Sequence, residues 1–366
     1  MHNRIAKLRD LLVARDLDAV LISSPVNRRY LSGFRGSAGY LLISADAALL
    51  FSDFRYREQA ARESAGFVFR ENDNQENSVQ KLVAEAIQEL ALQRVAIEAE
   101  DLSIAVYQRF SDALAERVPA AAFAPVEQLV LSLREVKDAD ELATLRRAIA
   151  ITDAAISAVL PQLRPDMRER EAAWLLEKTM REAGADGISF PIIVAAGPNA
   201  ALPHHRAGDD LLGEGRPIVI DMGALLDGYH ADLTRTVLLG TPDAQFRRIY
   251  NIVLEAQRRA ISGVRAGVPT ADVDALARDY IDDMAYGDQF GHGTGHGVGL
   301  DIHEAPGLRR AVAGKETPLL PAGAVTSIEP GIYIEGWGGV RIEDLVLVRE
   351  HACEVLSQAA KLQLPD

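Results

Sequence analysis

Residues Ile218–Leu239 read IVIDMGALLDGYHADLTRTVLL, two apolar runs joined by Leu226-Asp227-Gly228. Asp-Gly between hydrophobic runs signals a β-hairpin, because both central positions of its tight turn need positive φ. Folding the runs back across that turn sets Asp221 about opposite Asp232. Side chains directly opposed on paired strands have Cβ atoms about 4.5–5.5 Å apart. Two carboxylates at that spacing repel each other, and strands this apolar cannot hydrate both. A bound cation, or a proton held between them, would relieve the conflict. Taken alone, the pattern also fits Asp227 and Asp232 as turn and edge carboxylates in water.

A second stretch, Ser327–Val348, reads SIEPGIYIEGWGGVRIEDLVLV. Glu329 and Glu343 flank a Gly-rich reversal centred on Gly336, and folding there brings two more acids face to face. Two hairpins that each oppose a carboxylate pair are read together as four ligands of a metal site.

Around these hairpins lies an ordinary globular composition: 366 residues, 48% hydrophobic and 25% charged, which is long enough for two domains. Apolar runs such as AVLISS and AALLF are strand-sized, far short of a membrane span. MHNRIAKLRD leads straight into an amphipathic helix, without the pattern of a signal peptide. The single Cys353 excludes internal disulfides and cysteine-based zinc sites. A net charge of −14 argues against nucleic acid, which selects a basic footprint. The expected location is the cytoplasm.

Residues 1–126 alternate helix and strand. Helices are expected over Arg4–Arg15, Tyr56–Arg62, Ser78–Leu90 and Ser103–Arg117. Short strands are expected over Ala19–Ile22, Tyr40–Ile43, Ala48–Phe51, Phe67–Phe69 and Val95–Ile97. This is an α/β layer domain by pattern. Residues 127–138 read as a linker. From 139 to 366 the pattern is α+β, with helices over Ala139–Leu163, Glu169–Ala183, Ala244–Val264 and Thr270–Tyr286 between the strands. Four of the eight histidines fall in two places, His204-His205 and the GHGTGHGVG segment that holds His292 and His296. Five glycines between Gly291 and Gly299 surround the second pair, and glycine there is read as room for a ligand rather than for packing.

Carboxylates with one imidazole suit a divalent first-row ion such as Mn²⁺, Fe²⁺, Co²⁺ or Zn²⁺. Four acids, some bridging, suit two ions about 3.5–4 Å apart, which can activate a water and polarise a carbonyl. The reaction class implied is hydrolysis of an amide, ester or phosphate.

The motifs D-x-G-A…G-Y…D-x-T-R-T, G-T-G-H-G-x-G-L-x-x-H-E-x-P, E-P-G-x-Y and G-x-R-x-E-D resemble the pita-bread metallopeptidases. Among these the chain is most similar to the Xaa-Pro peptidases, prolidase and aminopeptidase P. YLSGFRGSAGYLLIS, FRYREQA and VKDADELATLRRAI resemble their creatinase-like N-terminal domain and its junction. The resemblance implies two divalent ions, Mn²⁺ foremost. Asp221 would bind one and His296 the other, with Asp232 and Glu343 bridging and Glu329 beside His296. Glu329 would also be the general base. His204 and His303 would contact substrate or the developing oxyanion, and Arg341 would orient Glu343. Substrates would be Xaa-Pro dipeptides or longer proline-second peptides, and the assembly a homodimer.

Non-catalytic pita-bread binding modules lose metal ligands, whereas all five positions are occupied here. Dipeptidase is preferred over aminopeptidase because Arg35, in GFRGSAGY, stands where the family often carries a small or hydroxyl residue. It would take the C-terminal carboxylate of a dipeptide, with Arg309 and Arg310 as rivals.

Overall fold

In the computed structural model, which describes residues 2–73 and 77–364, the chain divides into two units between Arg134 and Glu135. The first unit runs α1 (His2–Ala14), β1 (Ala19–Ile22), α2 (Pro25–Ser32), β2 (Tyr40–Ser44), β3 (Ala48–Asp53), α3 (Arg57–Glu63), β4 (Val68–Asn72), α4 (Val79–Glu89), β5 (Arg94–Glu98), α5 (Ile104–Arg117), β6 (Ala122–Val126) and α6 (Leu131–Arg134). Its six strands form one mixed sheet in the order β4-β3-β2-β1-β5-β6. Leu21, Leu42, Phe51, Val95 and Ile97 of the sheet pack with Val83 and Ile87 of α4 and with Phe110 and Leu114 of α5. The segment 127–138 is not all extended chain: Leu129 and Val130 are buried, and α6 follows.

The second unit opens with α7 (Ala139–Val159) and α8 (Glu169–Glu182). The start of α7 is fixed by a capping box: Asp138 accepts from the Glu141 N–H, and Glu141 from the Asp138 N–H, both at 2.9 Å. Then come β7 (Gly187–Ile188), β8 (Ile193–Ala196), β9 (Pro217–Met222), β10 (Ala224–Leu226), β11 (Tyr229–His230) and β12 (Leu233–Leu238). Two further helices, α9 (Ala244–Gly263) and α10 (Thr270–Asp283), precede β13 (Gly295–Gly297), β14 (Glu304–Leu308), β15 (Val325–Ile328), β16 (Gly331–Ile334), β17 (Gly338–Arg341), β18 (Asp344–Val348) and β19 (Cys353–Val355). A helix pair followed by antiparallel strands thus occurs twice, and each pair packs on its own core.

Strand period decides what reaches the site. Ile218, Ile220 and Met222 of β9 enter the core with Leu176 and Met180 of α8, so Val219 and Asp221 face the other way. With each buried aliphatic worth about 1.5–3 kcal/mol, a one-residue slip that buried Asp221 there is strongly disfavoured. On the other core, Ile328, Ile332, Val340, Ile342 and Val346 pack against α9 and α10.

Both hairpins form, but the first pairs two residues away from the register expected above. Asp227 and Gly228 take positive φ, 46° and 71°, as the turn signal requires. The ladder then pairs Asp221 with Thr234, not with Asp232. Asp232 lies just before β12, where Leu233 pairs with Met222. The two carboxylates are therefore diagonal neighbours, and they converge through their side chains. In the second hairpin Gly331 pairs with Arg341 and Ile334 with Gly338. Extending that register puts Glu329 opposite Glu343, and the reversal is centred on Gly336 as read.

Candidate metal centre

Asp221, Asp232, His296, Glu329 and Glu343 line one cavity of about 490 Å³ in the second unit. His204, His205, Arg206, His292, His303, Arg309 and Arg341 share its walls, with Phe190, Pro191, Ile193 and Ile302 as an apolar side. Ligand-capable atoms of Asp232, His296 and Glu343 all lie within 4.8 Å of one another. His296 Nε2 is 3.2 Å from Glu329 Oε1 and 3.6 Å from Asp232 Oδ2. Its Nδ1 donates to the Gly297 carbonyl at 3.1 Å, which leaves Nε2 as the atom turned toward the carboxylates.

The glycines beside His296 have a packing role, contrary to their reading as ligand space. A Cβ on Gly295 would fall 1.9 Å from the Ser327 carbonyl oxygen, and one on Gly297 would fall 2.1 Å from that of Ala305. They let β13 lie closely between its neighbours, and this places His296 over the acids.

A set of supporting bonds orients the carboxylates. Arg341 donates to Asp221 Oδ2 at 2.7 Å, to Tyr333 OH at 2.9 Å and to Thr234 Oγ1 at 3.2 Å. Thr234 Oγ1 in turn donates to Glu343 Oε2 at 2.8 Å. Arg341 therefore contacts Asp221 directly and reaches Glu343 through Thr234. Ser327 Oγ donates to Glu329 Oε1 at 3.2 Å. Tyr333 OH is 2.8 Å from His292 Nε2, whose Nδ1 lies 2.7 Å from the Gly293 carbonyl. Only its place in E-P-G-x-Y marks Tyr333 in the sequence, and nothing marks Thr234 beyond D-x-T-R-T.

The electrostatics show too much negative charge for the space. Burial pushes Asp232 well above the carboxylate range, and the neighbouring Glu343 and Asp221 add to the push. Glu343 is raised in the same way, by burial and then by Glu329 and Asp221. Asp221 is raised by burial against the pull of Arg341. Burial would also raise Glu329, but its hydrogen bond and ion pair with His296 outweigh that and bring it to about 2. For His296, burial opposes the charge and Glu329 restores it, up to about 9. The site thus gathers more carboxylate charge than its burial favours, a surplus that divalent cations would balance.

Two buried oxygens, Asp221 Oδ1 and Glu343 Oε1, have no hydrogen-bond partner among the described residues. Orphan acceptors within a convergent set of four carboxylates and one imidazole are what divalent ions satisfy, so the residues fit the group.

His204 and His303 are exposed on the cavity wall, and the His303 ring is centred 4.4 Å from that of His296. Burial lowers the pKa of His303, and the facing His296 lowers it further. His205 lies 2.7 Å from Glu169. That fully buried carboxylate also accepts from Ala196 N, Asn199 Nδ2 and Gly208 N, and so ties down the loop that carries His204. Arg35 belongs to the first unit, where its N–H donates to Glu63 at 2.8 Å and its Nε is 3.5 Å from the same carboxylate. Arg309 lines the metal cavity, whereas Arg310 lines a separate cavity beside α10.

Comparison with known proteins agrees with this geometry. The profile of the Creatinase/Prolidase N-terminal domain matches residues 4–136, and that of Metallopeptidase family M24 matches residues 143–350. The chain belongs to metallopeptidase family M24: it is a hydrolase with a creatinase-type N-terminal domain and a pita-bread catalytic domain, and the family implies divalent metal ions. It is 35% identical over 362 residues to the Xaa-Pro dipeptidase of Pyrococcus furiosus, covering 99% of each chain. It is similar to the structure of an Xaa-Pro dipeptidase from Bacillus anthracis, with TM-score 0.92, 39% identity and coverage of 99% of this chain and 98% of that one. An X-Pro aminopeptidase from Thermotoga maritima MSB8 matches with TM-score 0.86 and 37% identity, covering 95% and 97%.

Proposed function

We propose that the protein is an Xaa-Pro dipeptidase that uses two divalent ions, most suitably Mn²⁺, with Co²⁺, Zn²⁺ and Fe²⁺ as alternatives. The observation that carries this reading is the five-residue donor set with two orphan acceptors, in a cavity that Arg206 and Arg309 also line. Asp221, Asp232, His296, Glu329 and Glu343 would hold the ions. Bound there, they would supply Lewis acidity toward the scissile carbonyl and a water of lowered pKa.

The chain's own residues do the rest. Glu329 accepts a proton on a carboxylate oxygen and passes it to the departing proline nitrogen. His204 and His303 donate to the carbonyl oxygen as it gains charge. Arg341 keeps Asp221 in place and, through Thr234, steadies Glu343. Phe190, Pro191, Ile193 and Ile302 give the proline ring or the preceding side chain an apolar wall.

A dipeptide carries an amine and a carboxylate at its two ends. The carboxylates of the site suit the first, and a basic wall suits the second. Arg206 and Arg309 line the cavity; Arg35, favoured from the sequence, belongs to the first unit, where it pairs with Glu63. Longer peptides, as for an aminopeptidase, would have no carboxylate at that place. The test compares Ala-Pro with Ala-Pro-Gly-Gly for wild type, Arg35→Ala, Arg206→Ala and Arg309→Ala. The carboxylate-binding arginine loses about 10-fold or more on the dipeptide alone, the size of a charged hydrogen bond. A wild type that prefers the tetrapeptide, or variants that lose both substrates equally, would make the protein an aminopeptidase. The single Cys353 supports a reducing, cytoplasmic setting, and the family resemblance supports a homodimer. No helix among the described residues is long and apolar enough to cross a membrane.

A further inference from the structure

One buried ion pair lies outside the metal cavity, yet every spare bond it has goes to the segment that leads into His296. On α10, Arg278 and Asp274 sit one turn apart and form a two-pronged pair, Nε to Oδ2 at 2.7 Å and NH2 to Oδ1 at 2.8 Å. Asp274 is 1% exposed and Arg278 7%. Two further guanidinium hydrogens donate to the Phe290 carbonyl at 3.0 Å and the His292 carbonyl at 2.6 Å. Its carbon stacks 4.3 Å from the centre of the Phe290 ring. Asp274 Oδ1 accepts from Thr294 N at 3.0 Å and from Thr294 Oγ1 at 2.8 Å.

From Thr294 two short routes lead to the metal residues. The Thr294 carbonyl accepts from the backbone N–H of Glu329 at 2.7 Å, and His296 is two residues further along the chain. A third route runs from His292 through Tyr333 and Arg341 to Asp221. A buried ion pair is a poor source of stability, since apolar side chains of similar volume usually do as well. What apolar side chains cannot do is grip two carbonyls, an N–H and a hydroxyl of one loop at fixed distances.

We propose that Asp274 and Arg278 are positioning residues that set the Phe290–Thr294 segment, and through it His296 and Glu329, for metal binding. The inference rests on His296 and Glu329 being ligands. Neither member of the pair touches substrate. Their loss acts on the metal affinity and on kcat, while KM, set by the cavity walls, changes little.

The experiment titrates Mn²⁺ by calorimetry into metal-free full-length protein and measures kcat and KM on Ala-Pro. Its variants are Asp274→Leu with Arg278→Met, Arg278→Lys alone, and Thr294→Val alone. The double variant replaces the pair by apolar volume and is expected to fold with near-wild-type near-UV dichroism. Its Mn²⁺ affinity and kcat are expected to fall about 10–100-fold, the range for residues that orient ligands, with KM within about threefold. Arg278→Lys keeps the charge but not the fork and is expected to show the same pattern, more mildly; Thr294→Val loses only the hydroxyl bond and is expected to be mildest. If the double variant does not fold, the two single variants decide by the same readouts. Wild-type Mn²⁺ affinity and kcat in the folded variants overturn the proposal. A wild type that binds no Mn²⁺ overturns instead the assignment of the ligands.

Discussion

Thr234→Val tests whether the second hairpin's acid is held by the first hairpin's strand. Thr234 is fully buried, and its hydroxyl makes two bonds: it donates to Glu343 Oε2 at 2.8 Å and accepts from Arg341 Nε at 3.2 Å. Valine matches threonine in shape, so packing is preserved and only those bonds go. Hydrogen bonds to charged groups are worth about 1.5–3 kcal/mol each. Glu343 Oε1 already lacks a partner among the described residues, so the substitution leaves both carboxylate oxygens unheld. Part of that loss falls equally on the metal-free and metal-bound protein; the differential part is expected at about 1.4–2.7 kcal/mol, or 10–100-fold in Mn²⁺ affinity.

The pH dependence has a definite sign. Burial and the neighbouring acids raise the pKa of Glu343, while the Thr234 bond works to lower it. Removing that bond raises the pKa further, and the extra proton competes with the ion. The affinity deficit of Thr234→Val therefore widens as pH falls and narrows as pH rises. Calorimetric titration of Mn²⁺ into both proteins at three pH values measures it. Affinities equal within twofold at every pH would refute the role given to the hydroxyl.

Other substitutions separate ligands from supporting residues. Asp232→Asn or Glu343→Gln is expected to lose both bound metal, by mass spectrometry, and turnover; full activity in either would remove the two-ion site. His204→Ala and His303→Ala are expected to keep wild-type metal content while kcat drops about 10²–10³-fold, the size of a lost oxyanion donor; metal loss in His303→Ala would make it a ligand. Glu169→Gln puts an amide NH₂ where one oxygen accepts two donors, so about 3 kcal/mol is expected to be lost in urea unfolding. A loss below about 1 kcal/mol would mean that the His204 loop is held some other way.

The four candidate acids were legible in the sequence because turn chemistry and strand period act locally, and His296 joined them through the family motif. Asp227-Gly228 and Gly336 mark reversals, and alternation decides which acids leave the core. The pairing expected for the first hairpin was two residues off, although the Asp227-Gly228 turn itself fixes it. Asp221 faces Thr234 because the two-residue turn at Asp227-Gly228 pairs Leu226 with Tyr229, and the same register runs on to Pro217 and Leu238. The packing role of Gly295 and Gly297 was not legible, because the carbonyls of Ser327 and Ala305 that crowd them belong to the two strands flanking β13. Tyr333, Glu169 and the Asp274–Arg278 pair have partners 27 to 41, or 12 to 20, residues away, and no local pattern announces such bonds. Family motifs pointed to the candidate metal site; contacts distant in sequence show how its residues are held.

The most direct measurement is the rate of proline release from Ala-Pro as Mn²⁺ is added stepwise to chelator-stripped protein. The five-donor site predicts no release without metal, a rise on addition, and a plateau once two ions per chain are bound. Undiminished release in the presence of chelator, or no release at any Mn²⁺, Co²⁺, Zn²⁺ or Fe²⁺ loading, would contradict it.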